Sequence, residues 1–278
     1  MKKKKSNRFL AKWFSKMNKM SFCKYTETHL KRVSCLKRVY YDIHDICPTS
    51  DNYVYRANIN ENDFPFDSIE RIAFNPKPTC INRANLPNQG IGYYACAPDI
   101  SIIEACQDML KTKNVTFFNL TVSKWKIKKK ISAQIICHSE QAQSAGTDLM
   151  KYYTATKCKR QKDLPRKEYR QWFLKMKFIA NQYAKCNIGC KKDYFLSAWY
   201  SKNILNHPDI DCIIYPSVPY TYKGFNYAFS TNVFKNHSIE LEEVYYFTAQ
   251  FDEDKITNYP KIDLVKSTKK FNGNEILW

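Results

Sequence analysis

Three stretches of this chain place polar groups where folding alone does not call for them. Arg56 ends the apolar run Tyr53-Val-Tyr-Arg56, Arg83 sits in the loop-like Asn82-Arg-Ala-Asn85, and Ser217 follows Pro216 just past the apolar run Asp211-Cys-Ile-Ile-Tyr215. Tyr93 follows Arg83 by ten positions, and Glu104 follows Tyr93 by eleven. A carboxylate beside a reacting carbon can stabilise developing positive charge or take a proton. A forked guanidinium matches phosphate oxygens in bidentate fashion, and a tyrosine offers a ring for stacking with a hydroxyl at its tip.

The elements that must hold these groups follow from periodicity. A strand is expected at Tyr53–Arg56, a loop over Asn75–Gly92, and a helix from about Ser101 with Ile102, Ile103, Cys106 and Leu110 on one face. Val115–Ile127 alternates as a strand and ends in the basic stretch Lys124–Lys130, while Asp211–Tyr215 and Glu240–Phe251 read as further strands. Residues 140–206 read as helical, with Trp172, Phe173, Met176, Ile179 and Tyr183 on one face, a polar break at Lys157–Asp163, and Asp193 as a cap. Near the start, Phe9, Leu10, Trp13, Phe14, Met17 and Met20 recur at helical spacing among lysines, giving a basic amphipathic helix; it can dock on the body of the protein or meet a membrane surface, a nucleic acid or a partner. The turn cluster Pro48–Asn52 suggests a boundary between a basic, mainly helical extension (1–50) and one catalytic-sized domain (51–278) with a helical insertion at about 140–206. The fold class is α+β.

The 278 residues carry 45 Lys and Arg against 26 Asp and Glu, a formal charge of +19 that favours polyanions, acidic partners and phosphorylated small molecules alike. Residues 1–50 hold 13 basic and 3 acidic side chains, more than half of that surplus. Eleven cysteines, odd in number and scattered, do not read as a disulfide framework, so a cytoplasmic, reducing setting is expected. Cys186 and Cys190 form a single C-x3-C, and the five histidines show no ligand spacing, so no metal site is expected. Lysines interrupt any signal-peptide core, and no apolar run is long enough for a transmembrane helix. Gly-rich phosphate loops and H-E-x-x-H are absent.

From about Tyr53 to Phe229 the sequence resembles the RES family, named for the Arg, Glu and Ser its members share. Arg56 in VYRA and Arg83 in NRAN fall on the family's two arginines, with Asn82 and Ala84 where the family has Gly and Trp. Tyr93 and Glu104 in GYYACAPDISIIEA fall on its Tyr and Glu, and Ser217 and Asn226 in IIYPSVPYTYKGFNYAF close the pattern. The resemblance implies an ADP-ribosyltransferase-like mixed β core flanked by helices. It also implies cleavage of the nicotinamide N-glycosidic bond of NAD by hydrolysis, phosphorolysis or transfer of ADP-ribose, with NAD as substrate and no bound cofactor. Several members act as toxins with a cognate antitoxin, so a protein antitoxin is an implied partner.

On that pattern Glu104, Arg83 and Ser217 are the catalytic candidates, and Arg56, Tyr93 and Asn226 the NAD-binding ones. Glu104 would stabilise the oxocarbenium-like ribose or orient its attacker; the arginines would hold the pyrophosphate; Tyr93 would stack on nicotinamide and use its hydroxyl on a phosphate or ribose oxygen. Ser217 would bond the nicotinamide amide or position Glu104. Each residue also has a plain structural reading. Ser101-Ile-Ile-Glu104 is a capping box, an arginine can be solvated or salt-bridged, Tyr93 can be core, Ser217 a turn hydroxyl, and Gly224-x-Asn226 an ordinary turn. A competing class is a basic nucleic-acid-binding protein without catalysis, using the aromatic-basic segments at Trp13 and Trp125 or the N-terminal extension.

Overall fold

A computed structural model describes residues 7–18, 42–49, 51–113, 115–252 and 259–278. Its centre is one nine-stranded mixed sheet. The strands are β1 (Ile43–Ile46), β2 (Tyr53–Ile59), β3 (Ile91–Ala95), β4 (Phe117–Ile127), β5 (Ile131–Ile135), β6 (Cys212–Pro216), β7 (Phe225–Ser230), β8 (Ile239–Gln250) and β9 (Lys261–Thr268), in the order β1-β5-β6-β7-β3-β2-β4-β8-β9. A two-residue pair, β10 (Phe271–Asn272) with β11 (Glu275–Ile276), stands apart. The long alternating run expected at Val115–Ile127 forms β4, which pairs along its length with β8.

Every pairing in the large sheet is antiparallel except β5 with β6. A parallel pair needs a long crossover. The helical segment supplies it, with helices Glu140–Ala145, Met150–Asp163, Arg166–Tyr183 and Phe195–Leu205 between the two strands. The break expected at Lys157–Asp163 falls instead at Leu164-Pro165, because those polar residues continue the Met150–Asp163 helix and proline, lacking an N–H, cannot extend it. Asp193 accepts from the backbone N–H groups of Gly189 (3.0 Å) and Cys190 (3.3 Å), capping a short 3₁₀ turn, Lys191–Tyr194, just before Phe195–Leu205.

Alternation divides the central strands cleanly. Ile213, Tyr215 and Ala228 belong to one buried cluster, which Tyr93 joins, whereas Cys212, Ile214, Tyr227, Phe229 and Tyr94 belong to another on the opposite face. Helix Pro98–Lys113 lies against β2 and β4 through Ile102, Ile103, Cys106 and Leu110, the apolar face expected from spacing.

The basic amphipathic helix is Asn7–Asn18, and its apolar side is docked on the body. Leu10, Phe14 and Met17 are buried, and Phe14 stacks on Phe178 of helix Arg166–Tyr183 with ring centroids 4.4 Å apart. Met20 lies outside the described residues. Within the segment read as mainly helical, β1 is a strand that adds the sheet's edge beside β5. Asp42 ties this edge to the crossover, accepting from Arg160 Nε at 2.6 Å and Trp172 Nε1 at 2.8 Å. Eight described cysteines are free thiols and Cys190 is disulfide-bonded. Among the described residues no helix is long and apolar enough to cross a membrane, and no group of three or more His, Cys, Asp or Glu is placed to hold a metal.

Candidate active site

Four neighbouring central strands each carry one candidate. Ser217 follows β6, Asn226 is on β7, Tyr93 on β3 and Arg56 on β2. Register puts Tyr55, Ala95, Asn226 and Tyr215 in one row across these strands, so Asn226 shares the face of Tyr93 and Tyr215.

Glu104 comes to this face from helix Pro98–Lys113. The helix starts with Pro98 at its first position, where a missing N–H costs nothing. Ser101 is therefore already inside it, with its hydroxyl donating to Pro98 O at 2.7 Å. The capping box does not form. Glu104, partly exposed, instead receives Ser217 Oγ at 2.6 Å and Asn226 Nδ2 at 2.5 Å, both on Oε1. Oε2 accepts nothing from the described residues. Two neutral donors on one oxygen fix the carboxylate's plane and leave its other oxygen to meet a ligand.

The close approach of this helix depends on Gly224. A Cβ there would lie 2.2 Å from Ile100 Cδ1 and 3.2 Å from its Cγ1, so the buried Ile100 side chain would have to move. The loop between β6 and β7 is tightly closed. Ser217 N donates to Gly224 O and Tyr222 N to Ser217 O, each at 2.8 Å, and Tyr220 N reaches Ser217 Oγ at 3.3 Å. Thr221 and Tyr222 hold φ of 52° and 64°. Left-handed backbone at a β-branched residue is strained, and here it lies beside the Ser217 hydroxyl that pins Glu104.

Arg83 occupies the tip of a turn closed by Asn82 and Asn85, whose N–H and C=O groups pair at 3.1 and 3.4 Å. Its Nη1 donates to Tyr183 O and to Lys185 O (3.3 Å), at the end of helix Arg166–Tyr183, where backbone carbonyls favour a cation. Its Nη2 donates to Tyr194 Oη at 3.3 Å, and the guanidinium lies over the Tyr194 ring, 4.7 Å from the centroid. Two of the five guanidinium protons, one on Nη2 and that of Nε, have no partner among the described residues. Asn82, where the RES pattern has Gly, has no positive φ, so the turn does not need glycine there. Ala84, where the pattern has Trp, is fully buried.

Tyr93 holds this turn in place. Its hydroxyl accepts from Ala84 N and donates to Asn85 Oδ1, both at 2.8 Å, and burial pushes its pKa well up. The hydroxyl foreseen for a phosphate or ribose oxygen is thus already used within the protein. Tyr94 points the other way, its hydroxyl donating to Ala73 O at 2.8 Å.

Arg56 is not brought to Glu104. Alternation sets it on the side of Val54, while Tyr55 packs with the Pro98–Lys113 helix. β2 and β3 share one register pair, Tyr55 with Ala95, and Arg56 Nη1 donates to Tyr93 O at 3.2 Å. Its Nε is sealed from solvent without a partner among the described residues, and this desolvation holds the guanidinium pKa below its ordinary value.

The structure adds residues that spacing did not single out. Tyr215 is buried, and burial, then Tyr93 and Glu104, push its pKa up against the opposing Arg83. Tyr194 is raised by burial and feels the same arginine and glutamate. Both phenols therefore lie within electrostatic reach of Arg83 and Glu104 together. Lys185 is lowered by burial, with Asp193 opposing and Arg83 reinforcing. Period-2 alternation from Ile213 was the available signal for Tyr215; Tyr194 and Lys185 reach Arg83 only through the fold of the crossover.

Compared with known proteins, the chain matches no family model and no curated protein.

Proposed function

We propose that this chain cleaves the N-glycosidic bond between nicotinamide and ribose in NAD, on a RES-type core related to ADP-ribosyltransferases. One arrangement supports this above the others: the Glu104 carboxylate pinned through Oε1 by Ser217 and Asn226, with Oε2 left open. Fixed negative charge is what a ribose ring needs as the bond to nicotinamide lengthens. The bonding pair leaves with the ring nitrogen as neutral nicotinamide, and C1′ becomes cationic beside Oε2. Water, phosphate or a protein side chain then adds to C1′; Oε2 is also placed to take the proton of a protic attacker. Arg83, with two donors unspent, is the group for the pyrophosphate, and Ser217 and Asn226 act by positioning Glu104.

Arg56 supports the site from beneath β3 in this reading. An antitoxin belongs to the same proposal. Co-expression with any small reading frame that neighbours its gene should yield a complex, and recovery of active, partner-free protein at normal yield would count against it. The non-catalytic nucleic-acid reading draws no support from the segment at Trp125. That ring is buried, and Lys124, Lys128 and Lys130 pair with Glu242, Glu240 and Asp45. Release of nicotinamide from NAD by the purified chain, with and without phosphate, tests the proposal and distinguishes phosphorolysis from hydrolysis.

A further inference from the structure

The charge surplus is confined to two stretches. Residues 1–50 carry 13 basic and 3 acidic side chains, and residues 150–177 carry 10 and 2; everything else carries 22 and 21 and is nearly neutral. The fold joins described parts of these stretches. Helix Asn7–Asn18 packs on helix Arg166–Tyr183, which follows helix Met150–Asp163 after only Leu164 and Pro165. Having buried Leu10, Phe14 and Met17, the first helix exposes Arg8, Lys12 and Lys16. The helical pair exposes Lys151, Lys159, Lys162, Arg166, Lys167 and Arg170, and none of these six forms an ion pair with a described residue.

We infer that this three-helix surface binds nucleic acid through its phosphodiester backbone. Among the described residues, no large hydrophobic side chain is exposed between residues 150 and 177, so the helical pair lacks the apolar anchors of a stable protein interface. Helix Asn7–Asn18 buries Leu10, Phe14 and Met17 on the body and exposes Phe9 as its one exposed large apolar side chain, too little apolar surface to enter a bilayer. What remains is exposed positive charge on adjoining helices, without an ion-pair partner among the described residues, which suits a regular array of phosphates and gains from counterion release. Base reading is not implied, because no exposed aromatic side chain of the pair is available to stack.

The inference does not depend on the NAD reading, and failure of either leaves the other standing. Fluorescence anisotropy with a labelled mixed-sequence duplex and a single-stranded RNA tests it on the full chain. Binding should weaken roughly 10³-fold between about 50 and about 200 mM salt, as for some six phosphate contacts. Lys159→Glu/Lys162→Glu/Lys167→Glu should lose more than tenfold in affinity and flatten the log–log salt slope by about 3, with the glutamine triple variant intermediate. Reversal of Lys261, Lys269 and Lys270 should change little. Nicotinamide release should be unchanged in all three. Absence of binding at about 50 mM salt, equal losses from both glutamate triples, or binding to phosphatidylserine vesicles or polyglutamate but not to nucleic acid would overturn the inference.

Discussion

Ser217 donates to Glu104 Oε1 across 2.6 Å although the two residues are 113 positions apart. With Asn226 it loads Oε1 and leaves Oε2 accepting nothing from the described residues.

Removing it should disturb geometry before charge. Ser217→Ala leaves the carboxylate with Asn226 alone, so the proposed nicotinamide release should fall roughly 10- to 10²-fold in kcat, the cost of one hydrogen bond to a charged group. KM for NAD should hardly move. Steady-state kinetics check this, and a KM increase at constant kcat would give Ser217 a substrate-binding role instead.

Gly224 lies against Ile100, which stands on the same helix four residues before Glu104. Gly224→Ala should destabilise by roughly 1–3 kcal/mol through overpacking against Ile100. Ile100→Val, which removes the Cδ1 atom nearest the new methyl, should recover part of that loss. Chemical denaturation of the two single variants and the double measures the coupling.

Tyr93 and Arg83 act as one unit, because the tyrosine hydroxyl holds the turn that presents the guanidinium. Tyr93→Phe leaves Ala84 N–H without its acceptor and should cost about 1–3 kcal/mol of stability, together with a higher KM for NAD. Arg83→Lys should lose as much kcat/KM as Arg83→Ala, since an ammonium cannot replace two carbonyl bonds, a ring contact and a forked donor at once.

His138 supplies a pH dependence unrelated to the site. Burial among Tyr153, Trp172 and Phe173, reinforced by Lys157, pushes its pKa down to about 4, and neither ring nitrogen has a partner among the described residues. The unfolded chain takes up this proton near pH 6.5, so stability should fall between about pH 6.5 and pH 4, by up to about 3 kcal/mol. Above that window both states are neutral and the contribution vanishes. His138→Phe should remove this part of the slope in thermal melts at pH 7 and pH 5.

Much of the scaffold was legible because long periodic runs are decided locally. β4, β8 and the apolar face of helix Pro98–Lys113 follow from alternation or 3.6-residue spacing alone. The Glu104 cluster was legible as a set of residues, but not as bonds. Ser101-Ile-Ile-Glu104 fits a capping box just as well, and only Pro98, starting the helix a turn earlier, removes that option. Arg56 shows the converse. Its spacing matched, yet strand alternation turns it away from Glu104, which single-residue matching does not weigh. The β1 strand escaped notice because four residues carry too little pattern.

The most direct test is nicotinamide release from NAD by wild type and Glu104→Gln. Glutamine keeps an oxygen for Ser217 and Asn226 to donate to, so the variant should fold and melt like wild type while losing only the negative charge. The predicted result is a fall in kcat of roughly 10²- to 10⁴-fold. Turnover of NAD by Glu104→Gln at the wild-type rate would contradict the assignment of Glu104 and the chemistry built on it.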